Sequence, residues 1–249
     1  MEIIVEKLTT NEQWESTWNS ERKFISEPTY ADLLRKFLPK QEGSLSFVEF
    51  GCSPGQNMAW FSQEFGYKVS GLDYAGIDTT KNYLDEKLVK YDEFFDCDIF
   101  NWNVKQYNVV FSTGLIEHFA PADNIVDIHK KATKPGGYCV IAIPNIRYLN
   151  RIIVSAIGGE ELVKAHNLKL MSPKVLRSFF GEEFNVLYCG YWKTSVIDLN
   201  DNYGFNERSR VVRVLYRTLH KFSKLCHVDN IRNPLLSPNI IIIAQKECE

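Results

Sequence analysis

Two groups of residues in this chain have the types and spacing to do chemistry. The first is Glu49-Phe50-Gly51-Cys52-Ser53-Pro54-Gly55, followed by a helical segment from Gln56 to Phe65, an apolar run from Tyr67 to Leu72, and Asp73. A strand, a glycine-bearing turn, a helix, a second strand and an acid about 20 residues on make the opening βαβ of a nucleotide-binding sheet. The second group is Glu117-His118, which follows the apolar run Tyr107 to Ser112. Histidine titrates near operating pH and suits a general base, and a neighbouring carboxylate can orient it or the substrate. The plainer alternative is a structural histidine beside an acid in the first turn of a helix.

The elements that must position these residues alternate along the chain. Strands are expected over Leu45–Phe50, Tyr67–Leu72, Glu93–Cys97, Tyr107–Ser112 and Tyr138–Ile143, with helices over Gln56–Phe65, Ile77–Lys90 and Pro121–Thr133 between them. Lys134-Pro135-Gly136-Gly137 stops the last of these helices and turns the chain. This alternation predicts a doubly wound, mostly parallel sheet. Before it, residues 2–8 read as an edge strand or arm. Trp14 and Trp18 share a helical face, and Pro28 opens a helix closed by Pro39. After it come helices over Ile146–Ile157, Ser172–Phe180 and Ser209–Leu225, and strands over Phe184–Tyr191 and Ser237–Gln245.

Two glycine templates compete for the first turn. G-x-G-x-x-G needs glycine where the chain has Gly51, Ser53 and Gln56, and fails at two of the three. Acid-x-G-x-G-x-G is met by Glu49, Gly51 and Gly55 and departs only at Ser53. Further on stand Gly71-Leu72-Asp73, Cys97-Asp98-Ile99-Phe100, Val109–Phe119 and Lys134–Asn145, in that order. In this ordered set the chain resembles the class I S-adenosylmethionine (SAM) methyltransferase family, in its small-molecule branch.

The resemblance implies an α/β, Rossmann-like, doubly wound sheet of seven strands whose last strand is antiparallel, with SAM as cofactor across the carboxyl ends of the first strands. It implies cofactor-binding roles for Glu49, Gly51, Ser53, Gly55, Asp73, Tyr74, Asp98, Ile99 and Thr113. Asp73 would accept hydrogen bonds from both ribose hydroxyls, since a carboxylate has two oxygens for the task. Asp98 would meet the adenine amino group, with Ile99 and Phe100 against the ring. Thr113 and Gly114 would lie beneath the sulfonium. Glu117 and His118 are the catalytic candidates, and their recurrence in the family also suits an architectural role. Where a left-handed backbone is required, Ser53 in place of glycine costs on the order of 1 kcal/mol.

One domain over 1–249 is expected, with an N-terminal helical cap (1–43), a SAM-binding half (44–145) and a substrate-side half (146–249). Candidate wall residues are Tyr30, Tyr148, His166, Tyr191, Trp192, Tyr203 and Phe205, though aromatic packing is their commoner use. Arg210, Arg213, Arg217, Lys221 and Lys224 line one face of the Ser209 helix, ordinarily a solvated face. The 193–236 connection is long enough for an added cap or a homodimer surface. A net charge of −2 argues against a dedicated nucleic-acid binder. The six cysteines include no C-x-x-C pair and no Cys/His set at zinc spacing, so no metal site is expected and the thiols read as reduced. No signal peptide is indicated and the longest apolar run, Ile240 to Ala244, is too short to span a bilayer, so a soluble cytoplasmic enzyme is expected. Its acceptor would be the oxygen or nitrogen of a small molecule or glycan. The alternatives are a non-catalytic partner subunit of the same fold, an RNA methyltransferase, and a nicotinamide oxidoreductase that the failed G-x-G-x-x-G disfavours.

Overall fold

The computed structural model describes residues 6–18, 27–40, 45–158, 160–193, 214, 218, 221 and 232–248. A short strand β1 (Glu6–Lys7) leads into helix α1 (Asn11–Trp18). Thr10 caps that helix reciprocally with Gln13: the Thr10 amide donates to Gln13 Oε1, and the Gln13 amide to Thr10 Oγ1. Then follow α2 (Ala31–Phe37), β2 (Ser46–Phe50), α3 (Gln56–Phe65), β3 (Lys68–Asp73), α4 (Ile77–Glu86), β4 (Tyr91–Asp96) and β5 (Tyr107–Thr113). The chain continues through β6 (Phe119–Ala120), α5 (Asp123–Ala132), β7 (Thr133–Pro144), α6 (Tyr148–Gly158), α7 (Glu160–Lys164), α8 (Pro173–Ser178), β8 (Phe184–Trp192) and β9 (Asn239–Lys246).

Seven strands form one sheet in the order β4-β3-β2-β5-β7-β9-β8, while β1 pairs antiparallel with β6 in a separate two-stranded ribbon. Neighbours from β4 through β7 are parallel, and β9 runs antiparallel to both β7 and β8. The seven-stranded sheet with an antiparallel last strand is the expected one. Alternation along the strands fills a core on each face. Val48, Phe50, Val110 and Ile141 pack with α5 and α8 residues on one side; Phe47, Val69, Val109 and Phe111 pack with α2, α3 and α4 residues on the other.

The chain works outward from β2 to β4 and then returns to place β5 on the other side of β2. A sheet of this kind opens a crevice beyond the carboxyl ends of its strands where the order reverses. Here that point lies between β2 and β5. The turn after β2 and the turn after β5 are therefore brought side by side.

Several boundaries differ from expectation. Pro28 precedes a turn at Thr29-Tyr30, and α2 begins at Ala31, whose amide bonds Pro28 O. Lys134–Gly137 does not leave the sheet: β7 runs through it, with Gly136 left-handed and an irregular register opposite Tyr107–Val109. Helix α7 was not foreseen. The Ser209–Leu225 helix with most of its basic face, and Tyr203 and Phe205, lie outside the described residues. Among the described residues no helix is long and apolar enough to cross a membrane.

Candidate active site at the carboxyl edge of the sheet

The turn after β2 is anchored by the Gly51 and Cys52 amides, which donate to Leu72 O, and by the Gly55 amide, which donates to Cys52 O. Gly51 and Gly55 are both left-handed, at φ 69° and 96°. A Cβ on Gly55 would stand 2.9 Å from Thr80 Cγ2, so glycine is required there by conformation and by the close approach of α4.

Ser53 is not left-handed, so the expected strain does not arise. It instead joins two turns. Its amide donates to Asp73 Oδ2 (3.0 Å), its hydroxyl donates to Ala75 O (2.7 Å), and Thr80 Oγ1 lies 3.1 Å from that hydroxyl. Asp73 Oδ1 accepts from the Tyr74 and Ala75 amides at 2.9 and 3.2 Å. Burial pushes the Asp73 carboxyl above its ordinary pKa, and these three amides oppose the shift. Three bonds leave part of a carboxylate's accepting capacity unused.

Glu49 is buried in β2. Its Oε1 accepts from Asn57 Nδ2 at 2.7 Å, while Oε2 has no partner among the described residues. Burial, the Asn57 bond notwithstanding, raises its pKa well above the usual range. Tyr30, also buried, lies by the Thr113 side chain, and burial raises its pKa. Tyr30 thus reaches the end of β5 from the N-terminal helical part, and of the wall candidates it and His166 stand at the site. Trp192 and Tyr191 belong to the core or its margin, and Tyr148 is exposed under the Arg147 guanidinium.

Asp98 caps the helical turn Ile99–Asn101 by accepting from the Phe100 amide, and its other oxygen is paired with Lys7. Lys7 comes from β1 and also lies 5.2 Å from the centroid of the Tyr74 ring. The N-terminal strand therefore runs beside both Tyr74 and Asp98, a contact the sequence did not disclose. Ile99 is buried in the core and Phe100 packs edge-on against Phe119.

Gly114 and Leu115 link this cradle to Glu117-His118. A Cβ on Gly51 would lie 3.3 Å from Leu115 Cδ1, and one on Gly114 would lie 3.6 Å from Glu117 Oε1. Glu117 and His118 sit on the helical turn Ile116–His118 and are both buried. Neither Glu117 carboxyl oxygen has a hydrogen-bond partner among the described residues, and burial pushes its pKa up to about 8. His118 Nδ1 lies 2.7 Å from Ala165 O, which fixes the proton on Nδ1 and leaves the lone pair on Nε2. Burial first, and then the nearby His166, pull the His118 pKa down to about 4. Nε2 is 3.9 Å from Glu117 Oε1, the His166 ring centroid is 4.6 Å from that of His118, and Trp14 packs edge-on against the same ring.

His129 shows what a wholly structural histidine looks like in this chain. It is buried in α5, with Nδ1 2.7 Å from Ile125 O and Nε2 2.9 Å from Ser112 Oγ, so both nitrogens are engaged. A shallow hollow lined by Pro39, Leu45, Asn108 and Tyr138 lies at the amino ends of β2 and β5, on the opposite edge of the sheet.

A family model described as a methyltransferase domain matches residues 21–186. The chain is similar to the mitochondrial ubiquinone biosynthesis O-methyltransferase of Dictyostelium discoideum, 29% identical over 190 residues that cover 64% of this chain and 58% of that protein. Among solved structures it is similar to coclaurine N-methyltransferase bound to N-methylheliamine and SAH, with a TM-score of 0.58 at 11% identity, covering 94% of this chain and 81% of that one. It is also similar to phosphoethanolamine N-methyltransferase 2 of Haemonchus contortus, with a TM-score of 0.53 at 16% identity, covering 89% of this chain and 52% of that one. These structural likenesses concern the fold.

Proposed function

The chain belongs to the class I SAM-dependent methyltransferase family, and from that premise we propose that it transfers a methyl group to an oxygen or nitrogen of a small molecule or glycan. The observation that carries the site assignment is the meeting of the Gly51–Gly55 turn, Asp73 and the Thr113-Gly114 turn at the carboxyl ends of β2, β3 and β5. SAM supplies an electrophilic methyl group on a sulfonium.

The residues present fit that cofactor. Glu49 Oε2 is a buried acceptor with no described partner, matched to an ammonium donor on an amino-acid tail. Gly51 and Gly55 let backbone approach that tail. Asp73 retains accepting capacity for ribose hydroxyls, with Tyr74 beside it and Ser53 holding its carboxylate in place. Asp98 and Ile99 take the adenine side, with Lys7 setting the orientation of Asp98. Thr113, positioned by Tyr30, lies toward the reacting end.

Glu117 and His118 receive the acceptor. Methyl transfer is an in-line displacement, so the site chiefly aligns the nucleophile and excludes water. Tyr30, the N-terminal segment through Trp14 and the 146–249 part supply the acceptor's surroundings. The acceptor is a small molecule and not nucleic acid, consistent with the net charge of −2. A cytoplasmic place of action and a homodimer complete the reading.

Mass spectrometry of freshly purified, denatured protein should release S-adenosylhomocysteine, and metabolite extracts incubated with labelled SAM should yield a methylated product. Folded protein that neither carries nor binds the cofactor product would refute the proposal.

A further inference from the structure

We infer that Glu117, His118 and His166 form a binding site for one divalent first-row transition cation, of the zinc or manganese class, which holds a hydroxyl oxygen of the methyl acceptor. The acceptor's role rests on the methyltransferase reading; the ion site does not.

One ligand atom from each of the three residues lies within 4.8 Å of the other two. An ion bound at about 2.0–2.2 Å from each ligand sets them roughly 3–4 Å apart, so the triad contracts by roughly 1 Å to close on it. Two imidazole nitrogens and one carboxylate are a borderline-hard donor set, suited to zinc and its neighbours in the row. Three protein ligands leave a coordination position open, the mark of a catalytic and not a structural site.

The surroundings hold the ligands in that arrangement. The His118 Nδ1–H donates to Ala165 O, which directs the lone pair of Nε2 toward Glu117. A backbone carbonyl on the far nitrogen is how metal-bound histidines are oriented. The segment carrying His166 is tied to the Glu117 turn on both sides. Ala165 takes the His118 bond, while the Asn167 amide donates to Glu117 O at 2.6 Å and Asn167 Nδ2 donates to Phe119 O at 3.0 Å. Those bonds fix the distance between two segments far apart in the chain. Glu117 is fully buried, and both its oxygens lack a hydrogen-bond partner among the described residues. A buried polar group of that kind calls for a specific occupant.

The site adjoins the cofactor cradle through Gly114, Leu115 and Gly51. An acceptor hydroxyl bound at the open position gives its proton to solvent. Its oxygen then forms the C–O bond with its own electron pair as the S–C bond breaks, that pair remaining on sulfur.

The test uses the full chain, treated with a chelator and dialysed, then titrated separately with zinc, manganese and cobalt(II) chloride. Elemental analysis should find about one ion per chain, and the cobalt form should show visible d–d bands. His166→Ala and Glu117→Gln should each weaken ion binding by more than the roughly 10–100-fold that loss of an outer-shell partner costs. S-adenosylhomocysteine affinity should be unchanged in both variants, which also reports that they are folded. If His166→Ala does not fold, His166→Gln serves in its place. No stoichiometric ion in protein that binds S-adenosylhomocysteine, or equal binding by folded variants, overturns the ion site and leaves the methyltransferase reading standing. Ion binding without any cofactor-product binding overturns that reading instead.

Discussion

Two buried carboxyls at the carboxyl edge, Asp73 and Glu117, handle their polarity in opposite ways. Around Asp73, three backbone amides engage both oxygens of a buried carboxylate and leave part of its accepting capacity free, while the Ser53 hydroxyl ties the same turn to Ala75 O and Thr80. Around Glu117, a fully buried carboxyl is left without a described partner, next to a histidine with one nitrogen engaged and one directed at it. A satisfied network is rigid and pre-formed, and an unsatisfied one costs free energy until something completes it. The Asp73 turn is therefore built before its ligand arrives, while Glu49 Oε2 and the acceptor end are completed by what binds there.

The largest expected effect sharpens that contrast. His118→Gln should lower turnover by roughly 10²–10⁴-fold, the scale of a lost acid–base or aligning group, with S-adenosylhomocysteine affinity unchanged. Steady-state rates beside calorimetric titration measure both. Equal losses in the two readouts would show that the ends are not separable.

Asp73→Ala removes the acceptor for three amides and the proposed ribose contact together. Affinity for S-adenosylhomocysteine should fall at least about tenfold, and the urea midpoint should fall with it, since buried donors left unmade cost about 1–3 kcal/mol. An unchanged affinity would remove Asp73 from the cofactor site. Gly55→Ala is a smaller perturbation of the same end. Its left-handed backbone alone costs roughly 1–2 kcal/mol, to which the Thr80 contact adds, so the thermal midpoint should drop with a modest loss of affinity. A midpoint equal to wild type would mean that the turn readily adopts another conformation.

The smallest effect concerns His129, the structural counterpart of His118. Burial pulls its pKa down to about 4, so in acid the unfolded chain takes up a proton that the folded chain refuses. Its contribution is present above about pH 6.5 and is lost as pH falls toward 4. Between pH 7 and 5, wild type should therefore lose about 1–2 kcal/mol relative to His129→Gln, read from paired urea melts. Parallel pH profiles would assign the acid sensitivity elsewhere.

Helix α3 was legible to the residue because glycine stands at both of its ends, each left-handed. Strands β5 and β9 were legible because each is free of charge through its middle and carries an apolar stretch, Val109–Phe111 and Ile240–Ala244. What escaped reading depended on contacts distant in sequence. Pro28 looked like a helix start, yet Tyr30 is drawn toward Thr113 and the helix begins after it. Ser53 looked strained by residue type, but only the backbone could show that its conformation is ordinary. Lys7 on Asp98 and His166 beside His118 join elements that no local spacing relates, so cysteine and histidine arithmetic gave no sign of the Glu117 cluster.

Calorimetric titration of the full chain with S-adenosylhomocysteine tests the central claim most directly. One site per chain, with affinity sharply reduced by Asp73→Ala, is the predicted result. A folded protein that gives no binding heat at any temperature tried, and retains no cofactor product on gel filtration, would contradict it.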